Sequence, residues 1–472
     1  MSRHPLFLAL VVALPLAAAT GVASAADLLQ TYELARASDP QLSIAESSRL
    51  ATREGAVQAR SALLPQLDGT ASITRSRSNS LGSSQQFDPA TGLPLPGVER
   101  ESEITSRNYS VNVSQMVFDR GRFTTLRSRQ ALSRSADFQL RSAGDSLITR
   151  TSAAYFNVLV ALETLAAAQA QETALRQQFD FADRRLEVGL APITDVYEAR
   201  AQYDGARANT IVTRNALEDA YQALVELTGT EVRGLQGLPQ DFQPALPANQ
   251  DSDGWVALAT ENNPALLAKR FQVESSTINV DTARSGHWPT LYLTGGYGQQ
   301  ASWGDFTASG ITLPNATESR GPSLGLTLRV PIFSGGLIQS QVRQAIAQRD
   351  IATDELEQQR RALVRNTRNA YQTLVAGISE VEARKNAVLS ARSAYDASQV
   401  GLEVGTRTVL DVLNNQQTLF NAEREYALAR YNFLQNRLLL EQAAGTIDVA
   451  SVQDINRLLT ADAEARLAPE TR

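Results

Sequence analysis

The chain carries an internal duplication, which constrains its fold more than any other sequence feature. Asp39-Pro40 recurs as Asn263-Pro264 at an offset of 224 residues, and Leu186-Glu187-Val188-Gly189 recurs as Leu402-Glu403-Val404-Gly405 at an offset of 216 residues. Self-similarity at a nearly constant offset indicates repeated structural units. We therefore predict a first half at 26–229, a linker rich in proline, glycine and glutamine at 230–252, a second half at 253–445 and a C-terminal tail at 446–472.

Each half begins with a helical segment followed by two strands. Leu324, Leu326, Leu328 and Val330 alternate with polar residues or glycine, and this period of two predicts a strand with one apolar and one polar face. The predicted strands lie at about 66–76 and 105–117 in the first half and at about 290–300 and 323–332 in the second. The polar segments between them, 77–104 and 301–320, are predicted to be loops.

Two helices follow the strands in each half. No proline lies between Pro96 and Pro192, or between Pro331 and Pro469. The predicted helices lie at 122–188 and 192–229 in the first half and at 338–404 and 408–445 in the second. The first of each pair would span about 100 Å if continuous. The second has a narrow heptad stripe with many small residues, which is typical of helices packed side by side in a coiled-coil layer.

The scarcity of reactive side chains argues against an enzyme. The chain has no cysteine and two histidines, His4 and His287, so disulfides, thiolate metal sites and a three-histidine metal site are excluded. A serine–histidine–aspartate triad would depend on His287 alone. The net charge of −6 and the lack of a basic run argue against a nucleic-acid partner. We predict no catalytic residue, no cofactor and no metal.

Residues 1–25 have the pattern of a secretory signal peptide. Arg3 and His4 precede an apolar run, and Ala23-Ser24-Ala25 is a small-residue cleavage site. A membrane anchor is the alternative, but the apolar run is short and contains Pro15. No later run of 18 uncharged apolar residues predicts a membrane-spanning helix. The exported product is therefore either soluble outside the inner membrane or inserted as strands.

Four strands cannot span a membrane alone, because an open sheet leaves unpaired backbone groups in lipid. Closure requires other copies of the chain. A dimer gives eight strands around a filled interior, whereas a trimer gives twelve strands around an open lumen. The polar faces of the predicted strands suit a wet interior.

The order of elements and three short segments resemble the TolC-like channels of the outer membrane factor family. The segments are 404–413 (VGTRTVLDVL), its earlier counterpart 188–196 (VGLAPITDV) and 432–434 (NFL). The resemblance implies an α+β membrane protein that is internally duplicated. By this resemblance the protein would form a trimeric twelve-stranded transmembrane β-barrel, with four strands per chain, continued by a long periplasmic α-helical coiled-coil barrel. Residues 446–472 are then a periplasmic tail.

The resemblance also implies a function and a set of partners. The homotrimer would sit in outer-membrane lipid as the exit duct of a tripartite efflux pump, a type I secretion system, or both. It would export drugs, small toxic compounds or proteins, with a periplasmic membrane-fusion adaptor linking it to an inner-membrane transporter. One alternative is a conduit dedicated to type I protein secretion. A periplasmic adaptor is a weaker alternative, since adaptors carry one helical hairpin flanked by small β-domains.

The two corners between long and short helices match the family's adaptor-binding positions. These are Val188, Gly189 and Leu190 at the first corner and Val404, Gly405 and Thr406 at the second. Glycine also has a local explanation there, because the residue that ends a helix commonly adopts a left-handed conformation. Two corners in each of three chains give six docking positions.

The family's periplasmic gate maps onto residues near the same corners. An arginine that binds a threonine and an aspartate matches Arg407, Thr194 and Asp195, while Leu402 replaces a tyrosine that binds the same aspartate. Two lumen-narrowing aspartates match Asp411 and Asn414, so a trimer would have one ring of three carboxylates. Because one link is missing, we expect a less tightly closed resting state than in relatives with the tyrosine.

Overall fold

The computed structural model describes residues 27–82, 90, 92, 98–190, 192–246, 251–308 and 311–467. The predicted signal peptide at 1–25 lies outside the described residues, as do Ala191 and parts of the linker and tail. The described chain forms two compact units. Unit 1 comprises residues 27–42, Gly144–Ala257 and the chain from Asn366 onward, and unit 2 comprises Ser43–Ala143 and Leu258–Arg365.

Both sequence halves contain the same succession of elements. The first half contains α1 (Leu28–Ser38), α2 (Pro40–Ser61), β1 (Gln66–Gly82), β2 (Val98–Phe118), α3 (Arg120–Glu187) and α4 (Ile193–Thr228). After β3 (Gln236–Gly237), the second contains α5 (Ser252–Asn262), α6 (Pro264–Arg284), β4 (Thr290–Ala308), β5 (Ile311–Arg329), α7 (Leu337–Glu403) and α8 (Val409–Ala444). The short elements α9 (Val449–Asn456) and β6 (Ala461–Asp462) follow.

Unit 2 contains an antiparallel sheet in the order β1-β2-β4-β5. Its strands are longer than the sequence pattern predicts, so the prediction of loops at 77–104 and 301–320 is wrong over much of both segments: the ladders continue to the pairs Gly82–Val98 and Ala308–Ile311. The apolar alternation stops earlier than the backbone pairing because polar cross-strand pairs replace it, among them Arg75 with Glu103 and Arg77 with Glu101.

The last strand also differs from its prediction. β5 begins at Ile311 rather than near 323, and it ends at Arg329 rather than near 332. It contains Pro314 and Pro322, which cannot donate to a ladder. Within one chain they are tolerated because β5 pairs only with β4 among the described strands. Pro331, also without an N–H, follows the end of the strand.

The sheet has one apolar and one polar face. The register places Leu67 beside Val113, and Leu293 beside Leu326, on one face. On β5 of this face, Leu324, Leu326 and Leu328 are 82%, 65% and 63% exposed. The opposite face is lined by Asp68, Asn112, Thr294, Thr327 and their neighbours. A contiguous exposed apolar surface of this kind is typical of contact with lipid or with another protein.

The helices of unit 1 pack along the predicted stripe in α4 but more extensively in α8. Val196, Thr210, Leu217 and Leu224 are buried in α4, as the heptad predicts. In α8 the buried stripe is wider than a two-position seam and includes Leu413, Phe420, Leu434 and Leu438 in addition to Val412, Phe433 and Leu440. The linker contributes to this burial, since Phe242 packs on Phe433 with a ring separation of 6.2 Å.

The linker and both ends of the described chain meet in unit 1. The linker strand β3 pairs with β6 of the C-terminal tail. The Asn456 side chain accepts a 3.0 Å hydrogen bond from the backbone N–H of Leu28 and donates a 2.9 Å bond to Asp27. Residues more than 400 positions apart therefore hold each other in place.

A buried ion pair joins α3 to α8. The guanidinium of Arg430 donates to both carboxylate oxygens of Glu163 at 2.9 and 2.6 Å and to the backbone carbonyl of Pro239 at 3.1 Å. Tyr431 donates to the same carboxylate at 3.0 Å. The side chains of Arg430 and Glu163 are only 2% and 15% exposed.

Among the described helices, α3 alone is long and apolar enough to cross a membrane, but more than half of its apolar window is buried in the fold.

Candidate functional site

The first helix corner, between α3 and α4, ends on a left-handed glycine. Gly189 has a φ of 77°, and a Cβ added there would meet no atom within 4 Å. The backbone N–H of Leu190 donates to the carbonyl of Arg185 at 2.8 Å, and that of Gly189 donates to Leu186 at 2.9 Å. These two bonds define a Schellman motif, which satisfies the carbonyls at a helix end. The left-handed glycine expected from the sequence is confirmed.

The second corner, between α7 and α8, repeats this geometry. Gly405 has a φ of 79°. The N–H of Thr406 donates to the carbonyl of Gly401 at 2.8 Å, and that of Gly405 donates to Leu402 at 3.2 Å. The Gly401 carbonyl also accepts from the Thr406 hydroxyl and from the N–H of Arg407, each at 3.1 Å. The two corners thus have the same backbone shape, although their sequences differ.

Both corners present apolar side chains to solvent. Val188, Leu190 and Val404 are each 68% exposed, and Gly189, Gly405 and Thr406 are exposed with them. The predicted docking residues therefore form two small surface patches of similar shape. Exposed apolar side chains on a rigid backbone turn can pack against a partner without first ordering the loop.

The helices after the corners begin differently. At the start of α8, the N–H and hydroxyl of Thr408 both donate to the Asp411 carboxylate at 2.9 Å, and the N–H of Asp411 donates to the Thr408 hydroxyl at 3.2 Å. This capping box lowers the pKa of Asp411, first through the backbone bond from Thr408. In α4 the corresponding cap position is Pro192, which makes no side-chain cap. Sequence analysis missed this difference, although Thr408-x-x-Asp411 is a recognisable capping pattern.

The lowered pKa fixes the pH range in which the α8 cap is ionised. A carboxyl group with a lowered folded pKa stabilises the fold above its ordinary pKa, and the contribution disappears as pH falls through the lowered value. The Asp411 cap is therefore fully present at neutral pH. The nearby charge of Arg407 acts in the same direction.

The predicted gate link is not assembled within one chain. The Thr194 hydroxyl lies 3.5 Å from the Asp195 carboxylate. Arg407 forms no ion pair with Asp195 in the described part of the chain, and its stem instead packs beside Gly401, where an added Cβ would lie 2.7 Å from Arg407 Cγ. The structure thus groups Arg407 with Asp411 and places Thr194 next to Asp195.

Leu402 has a packing role that sequence analysis did not predict. It is partly buried against a cluster formed by Leu175 of α3, Ala206 of α4, and Val409 and Leu413 of α8, on which Tyr203 of α4 also packs. Leu402, which is predicted to replace a tyrosine of the gate, therefore contributes to an apolar contact between four helices. Asn414 is exposed, and its backbone carbonyl accepts a 2.9 Å bond from the Thr418 hydroxyl.

Within the described ranges, no group of three or more histidine or acidic side chains could hold a metal ion.

Comparison with known proteins connects this geometry to a family. The family model described as outer membrane efflux protein matches residues 31–230 and 255–446. Outer membrane protein TolC of Escherichia coli K12 is 34% identical over 471 residues, covering 98% of this chain and 92% of that protein. Alkaline protease secretion protein AprF of Pseudomonas aeruginosa is 29% identical over 435 residues, covering 91% and 87%. The crystal structure of the Campylobacter jejuni CmeC outer membrane channel has a TM-score of 0.73 at 18% identity, covering 94% of this chain and 90% of that one.

Proposed function

The chain belongs to the outer membrane efflux protein family and is an outer-membrane exit duct for efflux or secretion, and we propose that it works as a homotrimer. It lies in the outer membrane, with its helical tunnel in the periplasm. Its relatives are named as channels and secretion proteins rather than enzymes, and we propose that it has no catalytic activity.

The two edge strands of the sheet, β1 and β5, support the proposal that the protein is a trimer. β1 and β5 each pair with a single strand among the described residues, and the sheet has an exposed apolar face. Unpaired strand edges are not stable in lipid, so β1 of one copy must pair with β5 of another. Three copies give twelve strands, which enclose an open lumen lined by the polar face.

Cysteine crosslinking tests this closure, because the native chain has no cysteine. β1 and β5 are separated by β2 and β4, about 14 Å in three strand spacings, which is too far for a disulfide within one chain. We expect Thr70→Cys combined in turn with Ser323→Cys, Gly325→Cys or Thr327→Cys to give disulfide-linked dimers and trimers at one register.

The matched control is Thr70→Cys with Ser110→Cys, whose hydroxyl groups lie 2.7 Å apart across the β1–β2 pair. This pair should oxidise within one chain and run as a monomer on a non-reducing gel. Monomers from every β1–β5 pair, with the control oxidised normally, would contradict strand closure between copies.

The two corners are proposed as the docking sites for a periplasmic adaptor, which links the duct to an inner-membrane transporter. Their equal backbone geometry and exposed apolar side chains support this role. In a trimer they provide six similar positions, which suits six adaptor copies. The three-residue link between Arg407, Thr194 and Asp195 is proposed to form between neighbouring chains and to close the periplasmic end.

The cargo is proposed to be drugs and other small toxic compounds, proteins, or both. The similarity to a protease secretion protein favours a second candidate, a conduit dedicated to type I protein secretion. Deletion of the gene distinguishes the two. Increased drug susceptibility with unchanged secreted protein supports efflux, and the reverse result supports the dedicated conduit.

Leu402→Tyr is expected to lower the conductance of the resting channel in planar bilayers, because a tyrosine there can donate to the Asp195 carboxylate of the gate. Leu410→Tyr is the control, since Leu410 is 46% exposed near the same corner. Equal conductance of the native channel, Leu402→Tyr and Leu410→Tyr would contradict the view that this position sets the resting opening.

Asp411→Asn is expected to reduce cation selectivity and block by multivalent cations while keeping α8 intact. Asparagine preserves an oxygen that can accept from Thr408, whereas Asp411→Ala removes both the cap and the charge. Reversal potentials in a salt gradient measure the change. Unchanged selectivity in Asp411→Asn would show that the carboxylate does not act on the conduction path.

A further inference from the structure

Unit 2 contains a cavity of about 750 Å³ where its helices meet its sheet. Residues of α2, α3, α6 and α7 line it, together with Thr290 of β4 and Arg329 of β5. The charged lining residues are Asp119, Arg122 and Arg329, and Gln341 and Gln348 of α7 add amide groups. Formally, two positive charges and one negative charge face the same space, which leaves an excess of one positive charge per chain.

The single carboxylate of the cavity is already engaged. One Asp119 oxygen accepts from the backbone N–H groups of Gly121 at 2.9 Å and Arg122 at 3.3 Å, and so caps the first turn of α3. The other accepts from the hydroxyl of Tyr292 at 2.8 Å. Arg122 lies 3.6 Å from this oxygen and donates to the carbonyl of Ala62 at 2.8 Å. The remaining cationic group, Arg329, forms no ion pair among the described residues.

Arg329 projects from the polar face of the sheet. It alternates along β5 with Leu328, which belongs to the exposed apolar face, and it is opposite Thr290 in the register. If the apolar face contacts lipid, the polar face lines the lumen of the closed barrel. The cavity then opens to the conduction path at the junction between strands and helices, so this step depends on the proposed function.

We propose that this cavity binds anionic groups of molecules passing through the duct, such as carboxylates and phosphates, with Arg329 as the principal contact and Arg122 as the second. A planar guanidinium donates two parallel hydrogen bonds to a carboxylate or phosphate, a geometry that an amide cannot reproduce. The glutamine amides of α7 provide further donors. In the trimer, three such cavities form a cationic zone in the lumen.

The test uses pyrophosphate as a blocking anion on the barrel side of channels in planar bilayers. Native channels should show a concentration-dependent block, and Arg329→Gln should raise the half-blocking concentration about tenfold, the effect of losing one charge-assisted contact. The half-blocking concentration of Arg329→Lys should lie between those of the native channel and Arg329→Gln, because lysine keeps the positive charge but not the planar guanidinium group.

Arg320→Gln is the matched control. Arg320 lies on the same strand, but the alternation places it on the face that carries Leu324 and Leu326. It should leave the block unchanged. Equal block of native, Arg329→Gln and Arg320→Gln channels that conduct normally would overturn the anion site and leave the duct proposal intact. Absence of conductance in the native protein would instead contradict the duct proposal, on which the site depends.

Discussion

Arg430→Met is expected to lower the free energy of unfolding by about 3–5 kcal/mol, because it leaves the buried carboxylate of Glu163 without its cation. Arg430 also holds the linker through the Pro239 carbonyl, so the loss should loosen the contact between linker and helices. Thermal unfolding followed by circular dichroism in detergent, together with the temperature at which oligomers dissociate on gels, measures the effect.

Two comparisons separate this ion pair from a general effect of removing an arginine. Arg392→Met breaks a mostly exposed pair with Glu423, whose side chains are 60% and 34% exposed, and should cost only about 0–1 kcal/mol. Arg430→Met combined with Glu163→Leu removes both charges and should recover much of the loss. If Arg430→Met is no less stable than Arg392→Met, the buried pair does not stabilise the fold as argued.

Gly405→Trp is expected to abolish adaptor crosslinking and drug resistance. At a φ of 79°, a residue with a Cβ is strained by about 1–2 kcal/mol. We expect the corner to relieve this strain by opening its Schellman motif, which would displace Val404 and Thr406. No atom lies within 4 Å of an added Cβ, so the substitution introduces no clash at Cβ with the rest of the chain. The loss should therefore concern docking rather than folding.

Graded variants test the cause of this effect. Gly405→Ala adds the backbone strain without the bulk and should weaken docking only partly. Gly205→Ala, in the exposed middle of α4, has the same open surroundings but a helical backbone, and should be neutral or stabilising. Trimer formation and outer-membrane fractionation confirm assembly of each variant. Native-like resistance and crosslinking in Gly405→Trp would exclude this corner as a docking site.

Local signals in the sequence were sufficient to predict the helices, the corner glycines and the existence of four strands. The left-handed Gly189 and Gly405 follow from helix-end chemistry, and the α4 stripe follows from its heptad. The ends of the strands could not be predicted from apolar alternation, because polar pairs such as Arg75 with Glu103 continue the ladder. The backbones of the two strands stay paired in a region where the side chains no longer alternate between apolar and polar.

Most of the features that the sequence did not predict depend on packing between residues far apart in the chain. The wide buried face of α8 depends on the linker folding onto it, and the Arg430–Glu163 pair joins residues 267 positions apart. No local pattern marks either residue as buried. At the proposed gate, residue matching predicts that Leu402 replaces a polar link, whereas its contacts with α3, α4 and α8 depend on packing between residues far apart in the sequence.

The hydrogen bonds between Asn456 and the segment Asp27–Leu28 impose an order on biogenesis. The chain is made from the N-terminus, so these two bonds can form only after almost the entire polypeptide has been synthesised. Contacts with such large sequence separation form late and slowly. Every newly made copy therefore passes through an interval in which α1 can already pack on α4, through the 2.7 Å bond from the Ser38 hydroxyl to the carbonyl of Thr228, but still lacks its contact with the tail.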